Sequence, residues 1–183
     1  MENTAIPATA PLAWNAIVRQ ALVLTIALIA FSALLYVLDI NIMKMSTSAV
    51  SFIVTIALGV GIALMTIRHQ RALDGGFISF GRAFLVGLAT VAVGVFLSGF
   101  WNYILVKFID PNYPTRMKEQ MMEAWGDVMP PEALEEMETS VTSFERMREL
   151  DNIALTSLAA ALIFGLICAL IAAAIGRRNP ATA

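Results

Sequence analysis

Four stretches of this chain carry no Asp, Glu, Lys, Arg or His: 19 residues from Gln20 to Leu38, 23 from Met45 to Ile67, 24 from Ala83 to Val106 and 25 from Asn152 to Gly176. About 20 apolar residues, at ~1.5 Å of rise each, let a helix cross the hydrocarbon of a bilayer. The four runs are of that length and hold half of the 183 residues. Apolar residues make up 58% of the chain and charged ones 14%, against roughly 45–50% and 25% in soluble domains. A water-soluble core of this size has no room for that much apolar surface, whereas lipid solvates it. Membrane strands are shorter and alternate in polarity, and no such alternation is present. The expected fold is therefore all-α: an integral membrane four-helix bundle, one membrane domain over 1–183. Its spans are expected at about 14–38, 45–67, 80–107 and 152–176, with an extramembrane helical insertion over 110–151.

The edges of the runs read as interfaces. Trp14 and Arg19 open the first, Tyr36 and Asp39 close it, and Trp101, Tyr103 and Lys107 end the third. Amphipathic rings and snorkelling cations prefer headgroup depth. Residues 1–18 contain no Lys or Arg, and no small-residue cleavage site follows the first run, so that run is read as a retained span. Arg19, Arg68, Arg71, Arg82, Arg177 and Arg178 fall on one side. Lys44, Lys107, Arg116, Lys118, Arg146 and Arg148 fall on the other. The positive-inside count is tied at six. Four of the second set sit among glutamates, whereas the short loop at 68–71 and the Arg177-Arg178 tail do not. Both termini are accordingly expected to be cytoplasmic.

The segment from Asp110 to Asp151 has eleven acids against four bases, a formal charge of −7. Met117, Met121, Met122, Trp125, Val128 and Met129 recur at helical spacing as one apolar stripe, which Pro130-Pro131 should end. A second stripe follows at Leu134, Met137, Val141 and Phe144. The pattern predicts a helical hairpin, with its second arm free to continue into the fourth span. Met117, Met121, Met122, Trp125 and Met129 form a candidate face for a partner protein or the membrane surface. A thioether metal site on that face is disfavoured, since no His or Cys assists.

Ahead of the third span stands Asp74-Gly75-Gly76-Phe77-Ile78-Ser79-Phe80-Gly81-Arg82-Ala83-Phe84. Gly75-Gly76 permits a turn with positive φ, and Ser79 suits a helix N-cap. Phe77, Phe80 and Phe84 share a face, and Arg82 is placed to snorkel to lipid phosphates. Gly75, Gly76, Phe77, Ser79, Phe80, Arg82 and Phe84 are thus a candidate interfacial motif, read first as an anchor and second as a binding platform. This stretch resembles the signature of a bacterial membrane-protein family catalogued as domain of unknown function 4199. The layout is similar too: two spans, a basic loop, Gly-Gly-Phe-Ile-Ser-Phe-Gly, a third span, a polar Met- and Glu-rich segment, and a fourth span with a basic tail. Where the family's motif usually has lysine, this chain has Arg82. The resemblance implies an integral location in a bacterial cytoplasmic (inner) membrane. It implies no activity.

Ser157, Ala161, Gly165, Ala169 and Ala173 are spaced four apart, a ridge of small side chains that lets another helix approach closely. Thr55, Gly59 and Ala63, and Ala83 and Gly87 with Gly94 and Ser98, are shorter versions. The partner helix is expected within the same bundle; a homo-oligomer seam is the alternative. One cysteine, Cys168, and one histidine, His69, exclude an intrachain disulfide and a Cys/His metal site within one chain. His69 is read as a solvated loop side chain. No nucleophile–base pair is evident, no cofactor motif occurs, and no basic run suggests nucleic acid. The apolar runs contain no ionisable acid or base of the kind that marks proton or ion pathways. The expected role is a non-enzymatic membrane component or scaffold, in contact with lipid and with an envelope protein partner. The alternative is a small oligomeric permeation or transport protein.

Overall fold

The computed structural model describes residues 11–126, 128–130, 132–133, 146 and 149–178. Four long helices, each long and apolar enough to cross a membrane, form the body: α1 (Trp14–Val37), α2 (Met45–Leu73), α3 (Phe80–Ile104) and, last in the chain, α5 (Leu150–Gly176). A short helix, α4 (Tyr113–Trp125), lies between α3 and α5. No strand forms among the described residues. The chain is an all-α, multi-pass membrane protein. Lipid cannot hydrogen-bond exposed peptide groups, so each crossing segment closes its own backbone bonds as a helix. Only 22–33% of the most apolar window of each span is buried within the chain. Side chains such as Ile26, Leu155, Ile163 and Ile175 are exposed, and lipid is their solvent.

The boundaries differ from the sequence pattern in four places. First, α2 runs past the apolar stretch to Leu73, so Arg68, His69 and Arg71 stand on a helix and not in a loop. Arg, Gln, Ala and Leu are strong helix formers, and cations favour a helix C-terminus. Second, the third span ends in a π-helical turn, Leu105–Ile109, closed by the Asp110 amide donating to Leu105 O at 2.7 Å. Third, α4 stops at Trp125, ahead of Pro130-Pro131, where the Gly126 amide donates to Met122 O. Glycine and aspartate at 126–127 are poor helix residues, so the helix unwinds before proline can break it. Fourth, Glu149 is extended (ψ 126°), so α5 starts afresh at Leu150 and does not continue an earlier helix. The stripe at Leu134, Met137, Val141 and Phe144 lies outside the described residues.

The bundle is organised around α3, which packs most extensively on α5 and also against α1 and α2. Two apolar surfaces gain little from meeting each other in lipid, so contact depends on close approach and dispersion. The small-residue ridge supplies that approach inside the chain. Ser157, Ala161, Gly165, Ala169 and Ala173 are all buried, and a Cβ on Gly87 would lie 3.5 Å from the Ala169 backbone. The space is tightest at Gly99, where an added Cβ would fall 1.9 Å from Ser157 Oγ. Across the other face of α3, the Thr25 hydroxyl donates to Gly94 O of α3 at 3.1 Å as well as to Ala21 O of its own helix. Thr55, Thr66, Thr90, Ser98 and Thr156 donate to carbonyls of their own helices, as expected for such groups in an apolar setting.

Gly99→Ala should therefore destabilise the bundle by about 1–3 kcal/mol, the usual cost of overpacking, read as a lower unfolding temperature in detergent. Adding Ser157→Gly should recover more than half of that loss. A double variant no better than Gly99→Ala alone would show that α3 and α5 do not meet at this point.

Candidate functional site

The two ends of the bundle are built differently. At the end that holds the start of α1 and the end of α5, the chain is tied together by polar groups. The Asp74 C-cap of α2 is followed by Gly75 (φ 75°) and Gly76 (φ 94°). The Gly76 amide donates back to Arg71 O at 2.9 Å, closing a Schellman-type turn that a residue with a Cβ adopts only under strain. Ser79 then caps α3, its hydroxyl accepting from the Arg82 amide at 3.4 Å. These two expectations from the sequence hold.

Arg82 does not extend toward lipid phosphates. It folds back on Asp74, with Nε donating to Oδ2 at 2.6 Å and an η-nitrogen donating to Oδ1 at 3.1 Å. Asp74's side chain is 5% exposed and Arg82's 21%, so a charge pair at the bilayer edge outcompetes snorkelling. The planar fork of arginine meets both carboxylate oxygens at once, which lysine cannot do. Gln70, buried at 1% exposure, extends the network. Its amide nitrogen donates to Asp74 Oδ1 at 3.2 Å and to Pro11 O at 3.3 Å, and its oxygen accepts from the Ala13 amide at 2.8 Å. Arg71 reaches Gly176 O at the end of α5. Ile78 and Arg178 exchange two backbone bonds, of 3.0 and 3.1 Å. All four spans are thus joined here, over a core that includes Ile17, Leu24, Ile67, Val86, Val91 and Cys168. Phe77 and Phe80 remain exposed, and Phe80 stacks on Phe84 with centroids 6.4 Å apart. The glycines, Ser79 and Arg82 of the motif make a closure, and its phenylalanines make an outer apolar rim.

The opposite end is looser. The π turn presents Asp110, which pairs with Arg116 of α4 and accepts from the Tyr36 hydroxyl at 3.4 Å. The Arg116 guanidinium lies 5.3 Å over the Tyr36 ring, and Tyr36 meets Tyr113 edge-on at 5.9 Å. Burial pushes the Tyr113 phenol above its ordinary range, so it stays protonated and able to donate at neutral pH. Further along α4, Asn41 donates to Gln120 O and Glu123 Oε2 (3.2 and 3.1 Å), and Lys44 pairs with Glu123 at 3.1 Å. Hydrogen bonds from Lys44 and Asn41 hold the Glu123 carboxyl below the usual carboxylate range.

Behind this clasp the helices separate. A cavity of about 570 Å³ lies between α1, α3, α4 and α5, walled in part by Ser32, Asn102, Tyr113, Asn152 and Thr156. Two more, of about 420 and 340 Å³, share its Ser32 wall and extend between the spans. Met117 of the predicted partner face is buried and lines the 570 Å³ cavity, so it belongs to the interior. Met121, Met122, Trp125 and Met129 stay half-buried, and the exposed residue of the stripe is Val128. No group of three or more His, Cys, Asp or Glu suited to a metal occurs among the described residues.

Sequence reasoning missed Gln70 and Asp74 as a buried pair. The signal was present, because Ala63, Ile67, Gln70 and Asp74 fall at i, i+4, i+7 and i+11 and so share the inward face of α2. A family model described as "Protein of unknown function (DUF4199)" matches residues 19–178. No curated protein and no solved structure matches the chain.

Arg82→Ala should cost about 3–5 kcal/mol of stability, because it leaves a buried carboxylate without its partner. Arg82→Ala with Asp74→Asn should cost less than Arg82→Ala alone, as thermal unfolding in detergent would report; equal losses would mean that Asp74 has water or another cation in place of Arg82. The Glu123 contact behaves oppositely to a histidine switch. Its carboxyl is held low, so the contact is complete above the free value of about 4.3 and is lost as pH falls through the lower folded value. Acidification from about pH 5 to pH 3 should shift Trp125 emission in a Trp14→Phe/Trp101→Phe background. Glu123→Gln should remove part of that transition; an unchanged curve would place the acid sensitivity elsewhere.

Proposed function

We propose, from the premise that the chain belongs to the DUF4199 family of unknown function, that it works as a non-enzymatic component of a bacterial cytoplasmic membrane. Its α4 end would contact another envelope protein. The observation that carries this reading is the asymmetry of the bundle. One end joins all four spans through backbone bonds, a buried carboxamide and a bidentate ion pair. The other is held to α4 by the part-buried Arg116–Asp110 pair and by the exposed Lys44–Glu123 pair, and exposed pairs contribute little stability each. Recognition surfaces are drawn from such low-stability elements, and this one sits in the segment of formal charge −7.

The same asymmetry speaks against a permeation path through one chain. The cavities at the α4 end run toward a core of Ile17, Leu24, Ile67 and Val91, each at most 1% exposed. No Asp, Glu, Lys, Arg or His among the described residues bridges that distance. The ion-paired Asp74 and the five cations Arg19, Arg68, Arg71, Arg177 and Arg178 share the closed end. Short basic segments near span ends mark the cytoplasmic side, and this supports placing that end, with both termini, in the cytoplasm.

Photo-crosslinking from position 121 or 125 in native membranes tests the reading. Capture of a discrete envelope protein is expected, and capture of lipid alone would remove the partner from the proposal. In proteoliposomes the protein should give no solute-specific conductance or uptake; specific flux would favour an oligomeric pore instead. A fluorescent protein fused after residue 183 should fluoresce, and alkaline phosphatase fused there should be inactive. The reverse pair of results would invert the topology.

A further inference from the structure

The cavities at the α4 end change character along their length. The part nearest α4 carries Asn102, Asn152, Thr156, the Tyr113 ring and Arg146. The part between the spans is lined by Leu28, Phe31, Leu35, Phe52 and Phe164. The Phe52 and Phe164 rings are 5.6 Å apart, one from α2 and one from α5. Between the two parts lies the third cavity, with Ser32, Ser98 and Ser157 in its wall. Trp101 lines this third cavity too, and its indole N–H is buried without an acceptor. It is the one such side-chain atom among the described residues. That nitrogen has no water-sized access to the cavity, so Trp101 borders the space with its ring. Pockets of about 300–1,000 Å³ with mostly apolar walls and a few convergent polar groups are the usual form of small-molecule sites.

We propose that this space holds one anionic membrane lipid, drawn from the surrounding bilayer. Its headgroup lies at the polar part, where Arg146, exposed and paired with Glu149 at 3.9 Å, supplies positive charge; the Asn102 amide supplies donors, and the Asn152 amide keeps a second N–H beside the one it donates to Arg146 O at 3.1 Å. One acyl chain lies between Phe31, Phe52 and Phe164, and the glycerol region passes the Trp101 ring. The polarity order fixes the occupant's chemistry. A purely polar solute leaves the phenylalanine-lined part unmatched, and a plain hydrocarbon leaves the amides unmatched. The bilayer supplies molecules with both parts, already oriented with the headgroup toward the α4 end. The site is separate from the proposed partner face, since it lies between the spans and opens toward lipid, whereas that face is the outer side of α4.

The test uses the full chain, purified in mild detergent, with Trp14→Phe and Trp125→Phe so that Trp101 alone fluoresces. The probe is lysophosphatidylglycerol with a brominated acyl chain. Saturable quenching of Trp101 is expected. Arg146→Gln should weaken it at least fivefold, while quenching by the brominated zwitterionic lysophosphatidylcholine changes less than twofold. Ala160→Phe and Thr55→Phe fill the apolar part from two different helices, and either one that keeps the parent's unfolding temperature should weaken both probes at least tenfold. Quenching that never saturates, or that persists unchanged in a folded filled variant, would overturn the proposal by showing bulk micelle contact only. Binding of glycerol phosphate as strong as that of the lysolipid would overturn the acyl-chain assignment. Failure of this test leaves the crosslinking result at positions 121 and 125 untouched, so the two readings fall separately.

Discussion

Close approach of helix backbones is the constraint on which the rest of the structure depends. In a bilayer the apolar faces of two helices gain little by leaving lipid, because lipid is as apolar as they are. Cohesion then comes from dispersion at short range and from a few well-placed polar contacts. The chain meets the first need with small residues where α3 and α5 face each other, from Gly87 and Ala169 to Gly99 and Ser157. It meets the second most fully at one end, with Gln70, Asp74 and Arg82. The consequence is a bundle closed at one end and separated into cavities at the other. Its cavities and its clasp lie on the side away from the start of α1 and the end of α5.

Much of the fold could be read from the residues. Four charge-free runs of 19–25 residues leave a helix little choice in lipid, and the spacing of Ser157, Ala161, Gly165, Ala169 and Ala173 marks a contact face that the structure buries in full. The turn at Gly75-Gly76 and the Ser79 cap follow from residue chemistry alone. What could not be read was partner choice. Arg82 at a span edge is equally suited to phosphate and to carboxylate, and only the turn that brings Asp74 back beside it decides. The same holds for Met117. Its helical stripe gives a face, but Tyr113 and the π turn before it determine that this part of the face points inward.

The site at the α4 end was the least legible, for a physical reason. Ser32, Asn102, Trp101 and Thr156 are ordinary polar residues near span ends, where such residues are common. They become a site only because the helices separate there, and separation is a property of packing between distant segments. Periodicity reports which face of a helix turns inward. It does not report how far apart two inward faces stand.

The central claim is that the two ends differ in local stability. Hydrogen–deuterium exchange on the protein in detergent, resolved at peptide level, measures this directly. The amides of Ile78 and Arg178, bonded to each other's carbonyls, should exchange at least tenfold more slowly than those from Asp39 to Lys44 in the clasp. Equal rates at the two ends, or faster exchange at Ile78 and Arg178, would contradict the account.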